Sequence, residues 1–323
     1  MKAIIEKFEG LKVLVIGDVM VDAYLLGKVE RISPEAPVPI VAVDKKEYRL
    51  GGAANVALNL AALGAKPILC SVIGEDIEGN EFMQLLEQSG LNPSGIVRSK
   101  DRLTTTKTRV IAQQTQMIRV DHEMTHALSE YETYVLSHRI IDDILPGVDV
   151  VLFEDYDKGV ITPLLIEQIV AAAHKHNKKV VVDPKKRNFN SFKGVDLFKP
   201  NLKELREGFN REANPEDKGA FETTILDLMQ AMQLKNIMVT MSEKGVMISD
   251  GKTFDYIPAH FRKIADVSGA GDTVISVASL CYALGLDNKQ TAALSNLAGG
   301  LVCEEVGVVP INLERLIEES EKL

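Results

Sequence analysis

The order of apolar and polar positions changes character twice along the chain. Leu11 to Gly17 (LKVLVIG) is a short apolar run closed by glycine, the pattern of a strand buried on both faces. Val19 to Arg49 instead mixes short β-like pieces with charges and with Pro34, Pro37 and Pro39. Gly51 and Gly52 then open a small-residue helix, GGAANVALNLAALG, which Gly64 closes. Lys66 to Val72 predicts a strand, and Glu78 to Ser89 a helix ended by Gly90. Thr104 to Ala112 and Gln116 to Asp121 alternate apolar and polar residues, as strands of an exposed sheet do, with Gln113 to Thr115 as the hairpin loop. Paired with the 19–49 segment, they form a small β lid.

From Val148 the pattern becomes regular. VDVVLFE, KKVVVD, DLFKPN and NIMVTM predict strands, and Gly245 to Asp250 with Thr253 to Pro258 a hairpin about Asp250-Gly251. Helices are predicted over Pro163 to His174, Thr223 to Met232, Asp272 to Leu284 and Asn288 to Glu305. Strands alternating with helices give an α/β fold with a mostly parallel central sheet and helices on both faces. The expected organisation is one domain over residues 1–323, with the lid built from about 19–49 and 104–121.

Composition narrows the function. With 323 residues, 46% of them hydrophobic, the chain can bury one large core. A net charge of −9 argues against nucleic acid or an anionic membrane as the main partner. No apolar run approaches the ~20 residues of a membrane span. Glu6 and Glu9 interrupt the N-terminus where a signal peptide needs apolar residues. Cys70, Cys281 and Cys303 form no C-x-x-C pair, which suits reduced thiols in a cytoplasmic protein.

Two motifs mislead. His122-Glu123-Met124-Thr125-His126 matches H-E-x-x-H, but that zinc chemistry needs both histidines on one helix face. Here the stretch follows a strand and precedes a helix start at Ser129-Glu130, so it reads as a loop. Gly245 to Thr253 resembles a P-loop but is one residue too long and lies in a hairpin, away from any helix N-terminus.

The informative segment is Asp266 to Thr273, DVSGAGDT. Gly269, Ala270 and Gly271 let the backbone approach a phosphate, and the first free amides of the following helix point at it. That is an anion hole for a transferring phosphoryl group. Asp272 at the same helix start either caps the helix or accepts a proton from an attacking hydroxyl. Asn201 and Glu204, three apart at a helix start, either cap it or hold a hydrated Mg²⁺. Thr240, Ser242 and Gly245 end a strand in a turn that suits nucleotide phosphates. Gly51, Gly52 and Asn55 allow close approach of a substrate, and Asp22 follows the first strand where it could bind hydroxyls.

GGAANVALNLAALG and DVSGAGDT resemble the two signature regions of the PfkB carbohydrate kinases, and the similarity runs essentially the full length. The resemblance implies a ribokinase-like fold, ATP and Mg²⁺, room for a monovalent cation, and a homodimer through the β lid. It implies Asp272 as catalytic base and Gly269, Ala270 and Gly271 as anion hole. Asp22, Gly51, Gly52 and Asn55 would contact sugar. Asn201 and Glu204 would serve metal and phosphate, Glu204 through water. Thr240, Ser242, Gly245 and Asn296 would serve the nucleotide.

A narrower resemblance is to the branch that phosphorylates the anomeric hydroxyl of D-glycero-D-manno-heptose 7-phosphate. GDVMVDAYLLGKVERISPEAPVPIVAV, TTTKTRV, MIRVDHE, DYDKG and VVVDPK carry it, with Asp157 and Ser268 as departures from the usual residues. A sugar that already bears phosphate needs basic partners, and Lys107, Arg109, Lys158 and Lys185 are favoured over Arg119 and Arg187. The chain ends at Leu323, soon after the last kinase helices, so the expectation is a stand-alone kinase without the adenylyltransferase domain often joined to this branch.

Overall fold

The computed structural model describes residues 1–113, 115–259 and 264–322. After helix α1 (Lys2–Ile5), strand β1 (Lys12–Gly17) leads into two long strands, β2 (Val19–Ile32) and β3 (Pro39–Gly52). Helix α2 (Ala53–Ala62), β4 (Lys66–Gly74), α3 (Ile77–Gln88) and β5 (Ile96–Ser99) follow. Then come β6 (Thr106–Ala112), β7 (Thr115–His122), α4 (Glu130–His138), β8 (Val150–Glu154), α5 (Pro163–Lys175) and β9 (Lys179–Asp183). The remaining elements are β10 (Leu197–Phe198), α6 (Leu202–Phe209), α7 (Lys218–Met232), β11 (Ile237–Thr240), β12 (Val246–Ser249) and β13 (Phe254–Ile257), then α8 (Ala270–Leu284), α9 (Asn288–Val302) and α10 (Leu313–Ser320).

Nine strands form the central sheet in the order β13-β12-β11-β10-β9-β8-β1-β4-β5. All neighbours are parallel except the β11-β12-β13 meander at one edge. Because side chains alternate across a strand, Val13 and Val15 point into one core while Leu14 and Ile16 point into the other. The first core receives α1, α2, α3, α8, α9 and α10, and the second α4, α5, α6 and α7. Strands buried on both faces explain the near-continuous apolar runs of β1, β8 and β9. The second sheet has the order β3-β2-β6-β7, and every residue of β7 is exposed.

Several elements differ from the sequence expectation. The 19–49 region is two 14-residue strands rather than short pieces, because Pro34 and Pro37 fall in the connection and Pro39 is the first residue of β3. Helix α7 starts five residues early, at Lys218, because the Asp217 carboxylate caps it by accepting from the Ala220 amide. Helix α8 starts at Ala270 behind Gly269, and α9 ends at Val302 rather than Glu305. Strand β5 was not expected. The expected hairpin loop includes Gln114, which lies outside the described residues. The H-E-x-x-H stretch is the last residue of β7, His122, followed by a loop, and the P-loop mimic is the β12–β13 hairpin. Among the described residues, no helix is long and apolar enough to cross a membrane.

Chain order reverses between β1 and β8, which opens a crevice at the carboxyl ends of the parallel strands. Gly17 closes its floor, in register with Glu154. A Cβ there would sit 2.1 Å from the Glu154 carbonyl oxygen and 2.9 Å from the Ala53 Cβ. Gly17→Ala is expected to cost about 1–3 kcal/mol of stability through overpacking. Urea denaturation checks this, and an unchanged midpoint would mean the β1–β8 edge spreads freely.

Candidate active site

Backbone amides and one carboxylate build the floor of the site. Asp18, buried just past β1, accepts hydrogen bonds from the amides of Tyr156 at 2.9 Å, Lys158 at 3.1 Å and Val160 at 2.9 Å. Burial nevertheless pushes its carboxyl above the usual range, against the pull of those amides. The loop after β8 is thereby fixed to β1. Asp157 has a left-handed backbone (φ 57°), which aspartate tolerates better than most side chains and which accounts for its place there. Gly159 (φ 92°) is required, since a Cβ would lie 1.8 Å from the His126 carbonyl oxygen.

That loop presents Tyr156, whose hydroxyl donates to Asp272 Oδ1 at 2.8 Å. Asn55, on α2, donates its side-chain amide to Asp272 Oδ2 at 2.6 Å. Asp272 is thus buried and gripped at both oxygens in the first turn of α8. Gly269 (φ 82°) sits ahead of that turn, and the first intrahelical bond runs from the Thr273 amide to the Gly269 carbonyl at 3.0 Å. The amides of Gly271 and Asp272 therefore lie ahead of the hydrogen-bond ladder, where they can meet an anion.

Acids and lysines crowd the same edge. Lys199, after β10, is buried and bonds Asp183 Oδ2 at 2.8 Å, and a Cβ on Gly271 would lie 3.9 Å from that oxygen. Burial opposes the Lys199 charge, but Asp183, Glu204 and Glu154 outweigh it and hold the ammonium above its usual range. Glu154 is raised well above the carboxylate range by burial and by Asp183 and Asp272. Burial also lifts Asp272, to about 6, opposed by the bonds from Asn55 and Tyr156.

The predicted site residues fall into distinct groups. Asp272, Gly269, Ala270, Gly271 and Asn55 meet as expected. Asp22 bonds Arg109, and Gly51 leaves the space beside it, since a Cβ there would lie 2.3 Å from Asp22 Oδ2. Gly52 (φ 61°) turns β3 into α2. Lys107 and Lys158 face each other across Glu123. Lys185, just after β9, pairs with Glu204 instead.

Asn201 and Glu204 form a reciprocal capping box at α6, each accepting from the other's backbone amide at 2.9 Å. Asn201 also bridges to Thr240 at the end of β11. Ser242 (φ 53°) and Gly245 (φ 85°) make the turn into β12, and Asn296 donates to the Pro258 carbonyl at 2.8 Å.

Among the described residues, no cluster of three histidine, cysteine or carboxylate side chains could ligate a metal directly. Two buried carboxylate oxygens, Glu154 Oε2 and Asp183 Oδ1, nonetheless have no hydrogen-bond partner. Such orphaned acceptors fit the water shell of a hydrated divalent cation.

Sequence reasoning missed Asp18, Tyr156, Glu154, Asp183, Lys199 and Glu123. The signal for three of them was position alone: Asp18, Glu154 and Asp183 each end or follow a predicted strand on the crevice side, while Lys199 lies inside the predicted DLFKPN strand. Direct titration of Asp272 tests its environment. By ¹³C NMR the Asp272 carboxyl is expected to titrate near 6. Tyr156→Phe removes a donor to the ionised form, so the midpoint should rise; a fall or no change would deny the bond.

Comparison with known proteins places this geometry. The bifunctional protein HldE of Geotalea uraniireducens is 39% identical over 314 residues, covering 96% of this chain and 63% of that protein. The Helicobacter pylori protein of the same name is 37% identical over 309 residues, covering 94% and 65%. The chain thus spans less than two thirds of the length of these relatives. Phosphofructokinase-2 from Escherichia coli in complex with potassium superposes with a TM-score of 0.79 at 20% identity, covering 97% of this chain and 99% of that one. Arabidopsis thaliana ribokinase complexed with ribose and ATP gives 0.73 at 16%, covering 96% and 99%. These likenesses show a ribokinase-like fold. The family model for pfkB family carbohydrate kinases matches residues 11–315, and the chain belongs to that family.

Proposed function

We propose that the chain transfers the γ-phosphoryl group of ATP to the anomeric hydroxyl of D-glycero-D-manno-heptose 7-phosphate, giving the 1,7-bisphosphate for ADP-heptose and lipopolysaccharide core synthesis. The observation that carries this reading is the Asp272 carboxylate, gripped by Asn55 and Tyr156 beside the free amides of Gly271 and Asp272. A buried acid at the mouth of an anion-binding helix start suits proton abstraction from a hydroxyl as phosphate arrives.

In this reading Asp272 takes the anomeric proton while the sugar oxygen bonds to the γ-phosphorus. The bond to the β–γ bridging oxygen breaks, and ADP leaves. The amides of Gly271 and Asp272 hold the developing charge without reorganisation. Asp22 and Asn55 orient the sugar hydroxyls, and Lys107, Arg109 and Lys158 receive the phosphate the substrate already bears. The second sheet acts as a lid that excludes water. Lys185 and Lys199 neutralise triphosphate charge. Thr240, Ser242, Gly245 and Asn296 line the nucleotide side, with a monovalent cation as a further ligand of the site. Glu154, Asp183, Asn201 and Glu204 would hold hydrated Mg²⁺, which when bound supplies charge neutralisation for the triphosphate.

A homodimer through the second sheet fits its exposed apolar residues, Val43 on β3 and Met117, Ile118 and Val120 on β7. Sedimentation should show a dimer that Ile118→Lys weakens; a wild-type monomer at micromolar concentration would contradict it. Coupled ATP turnover across a sugar panel should favour heptose 7-phosphate, and Asp272→Asn should lower kcat by about a hundred- to ten-thousandfold while the fold survives. Below about pH 6 the base is protonated, so kcat/KM should fall about tenfold per pH unit. Near-normal turnover by Asp272→Asn would refute the base.

A further inference from the structure

We propose that Glu123 is the built-in counter-ion of the sugar-phosphate recess and keeps free inorganic phosphate out of it. The inference rests on the reading of that recess given above and extends it to selectivity. Glu123 Oε1 lies 3.1 Å from Lys158 Nζ, and Oε2 lies 3.4 Å from Lys107 Nζ, which also pairs with Asp121 at 2.9 Å; Glu123 is the carboxylate that joins the two lysines. One carboxylate oxygen thus serves each lysine, the arrangement two phosphate oxygens would adopt. The lysines come from different parts of the molecule, Lys107 from β6 of the second sheet and Lys158 from the loop after β8. Both side chains are largely buried, at 15% and 17% exposure, so each loses much of its solvation.

Glu123 is held in place rather than left to wander. It directly follows β7, and the strap beyond it is pinned to the body. Arg102 donates to the His126 carbonyl at 3.0 Å, Arg187 to the Thr125 carbonyl at 2.6 Å, and the Leu128 amide to the Gly159 carbonyl at 3.0 Å. The H-E-x-x-H stretch, which forms no helix, therefore has a role: it delivers a carboxylate to two lysines. Burial opposes the charge on Glu123, but Lys158 and Lys107 outweigh it and hold the carboxyl below its usual range.

An arriving dianion must displace this carboxylate. Free phosphate has only the lysines, Arg109 and their partners to bind, whereas a sugar phosphate adds hydroxyl contacts at Asp22 and Asn55. The internal acid therefore penalises both ligands, and only the larger one recovers the loss.

Calorimetric titration of the full chain with inorganic phosphate tests this. Glu123→Gln should bind phosphate about tenfold more tightly than the parent, the order expected from removing one like charge beside a partly exposed dianion site. Glu123→Asp, which withdraws the carboxylate by one methylene, should give a smaller gain of the same sign. Adding Lys158→Gln to Glu123→Gln should cancel the gain, which separates this site from the anion hole at α8. Unchanged or weaker phosphate binding in both single variants, or a gain that survives Lys158→Gln, would overturn the proposal. The readout needs no sugar turnover. A chain inactive toward heptose 7-phosphate that still shows the gain would sink the substrate reading and leave the counter-ion standing.

Discussion

Placing Asp272 in the dry first turn of α8 costs solvation that the surrounding structure must replace. Asn55 and Tyr156 supply two donors, and the unladdered amides of the helix start supply positive potential. Asp183 pushes the other way, and Lys199 offsets it. The balance leaves Asp272 with a carboxyl near 6, ionised at neutral pH yet still basic enough to take a proton. Because that value is raised relative to an unfolded aspartate, its contribution to stability is present at low pH and lost as pH rises through about 6. The ionised form, which the proposed mechanism uses, is therefore the form the fold tolerates least.

The same constraint explains why distant segments converge. Tyr156 reaches Asp272 only because Asp18 ties its loop to β1 through three amides. Asn55 reaches it because α2 packs against α8, where Asn59 also bonds the Thr273 hydroxyl. Arg102, bonded to the carbonyls of His126 and Lys158, joins the strap after β7 to the Tyr156 loop. Lys158 and Asp272 are thus placed by one connected set of hydrogen bonds that joins Asp18, the loop after β8, α2 and α8.

Much of this was legible in the sequence, for physical reasons. Strands buried on both faces leave continuous apolar runs, so β1, β8, β9 and β11 could be read directly, and DVSGAGDT marked the α8 start through its small residues. The long β2–β3 ribbon was harder, because an exposed sheet needs no apolar period and its prolines sit harmlessly in the turn or at the first residue of β3. Tyr156 and Glu123 were invisible for a different reason. Each acts through a partner more than ten residues away, and only the folded loops bring those partners near. Asn201 and Glu204 show the opposite lesson: a local capping box forms as the spacing allows, whatever further ligand the pair serves.

The most direct test of the account is a crystal structure with ADP, aluminium fluoride and heptose 7-phosphate bound together. The account predicts the fluoride group seated against the amides of Gly271 and Asp272, with the anomeric oxygen in hydrogen-bond contact with the Asp272 carboxylate. A fluoride group bound away from the start of α8, or a sugar presenting a different oxygen to a different side chain, would contradict it.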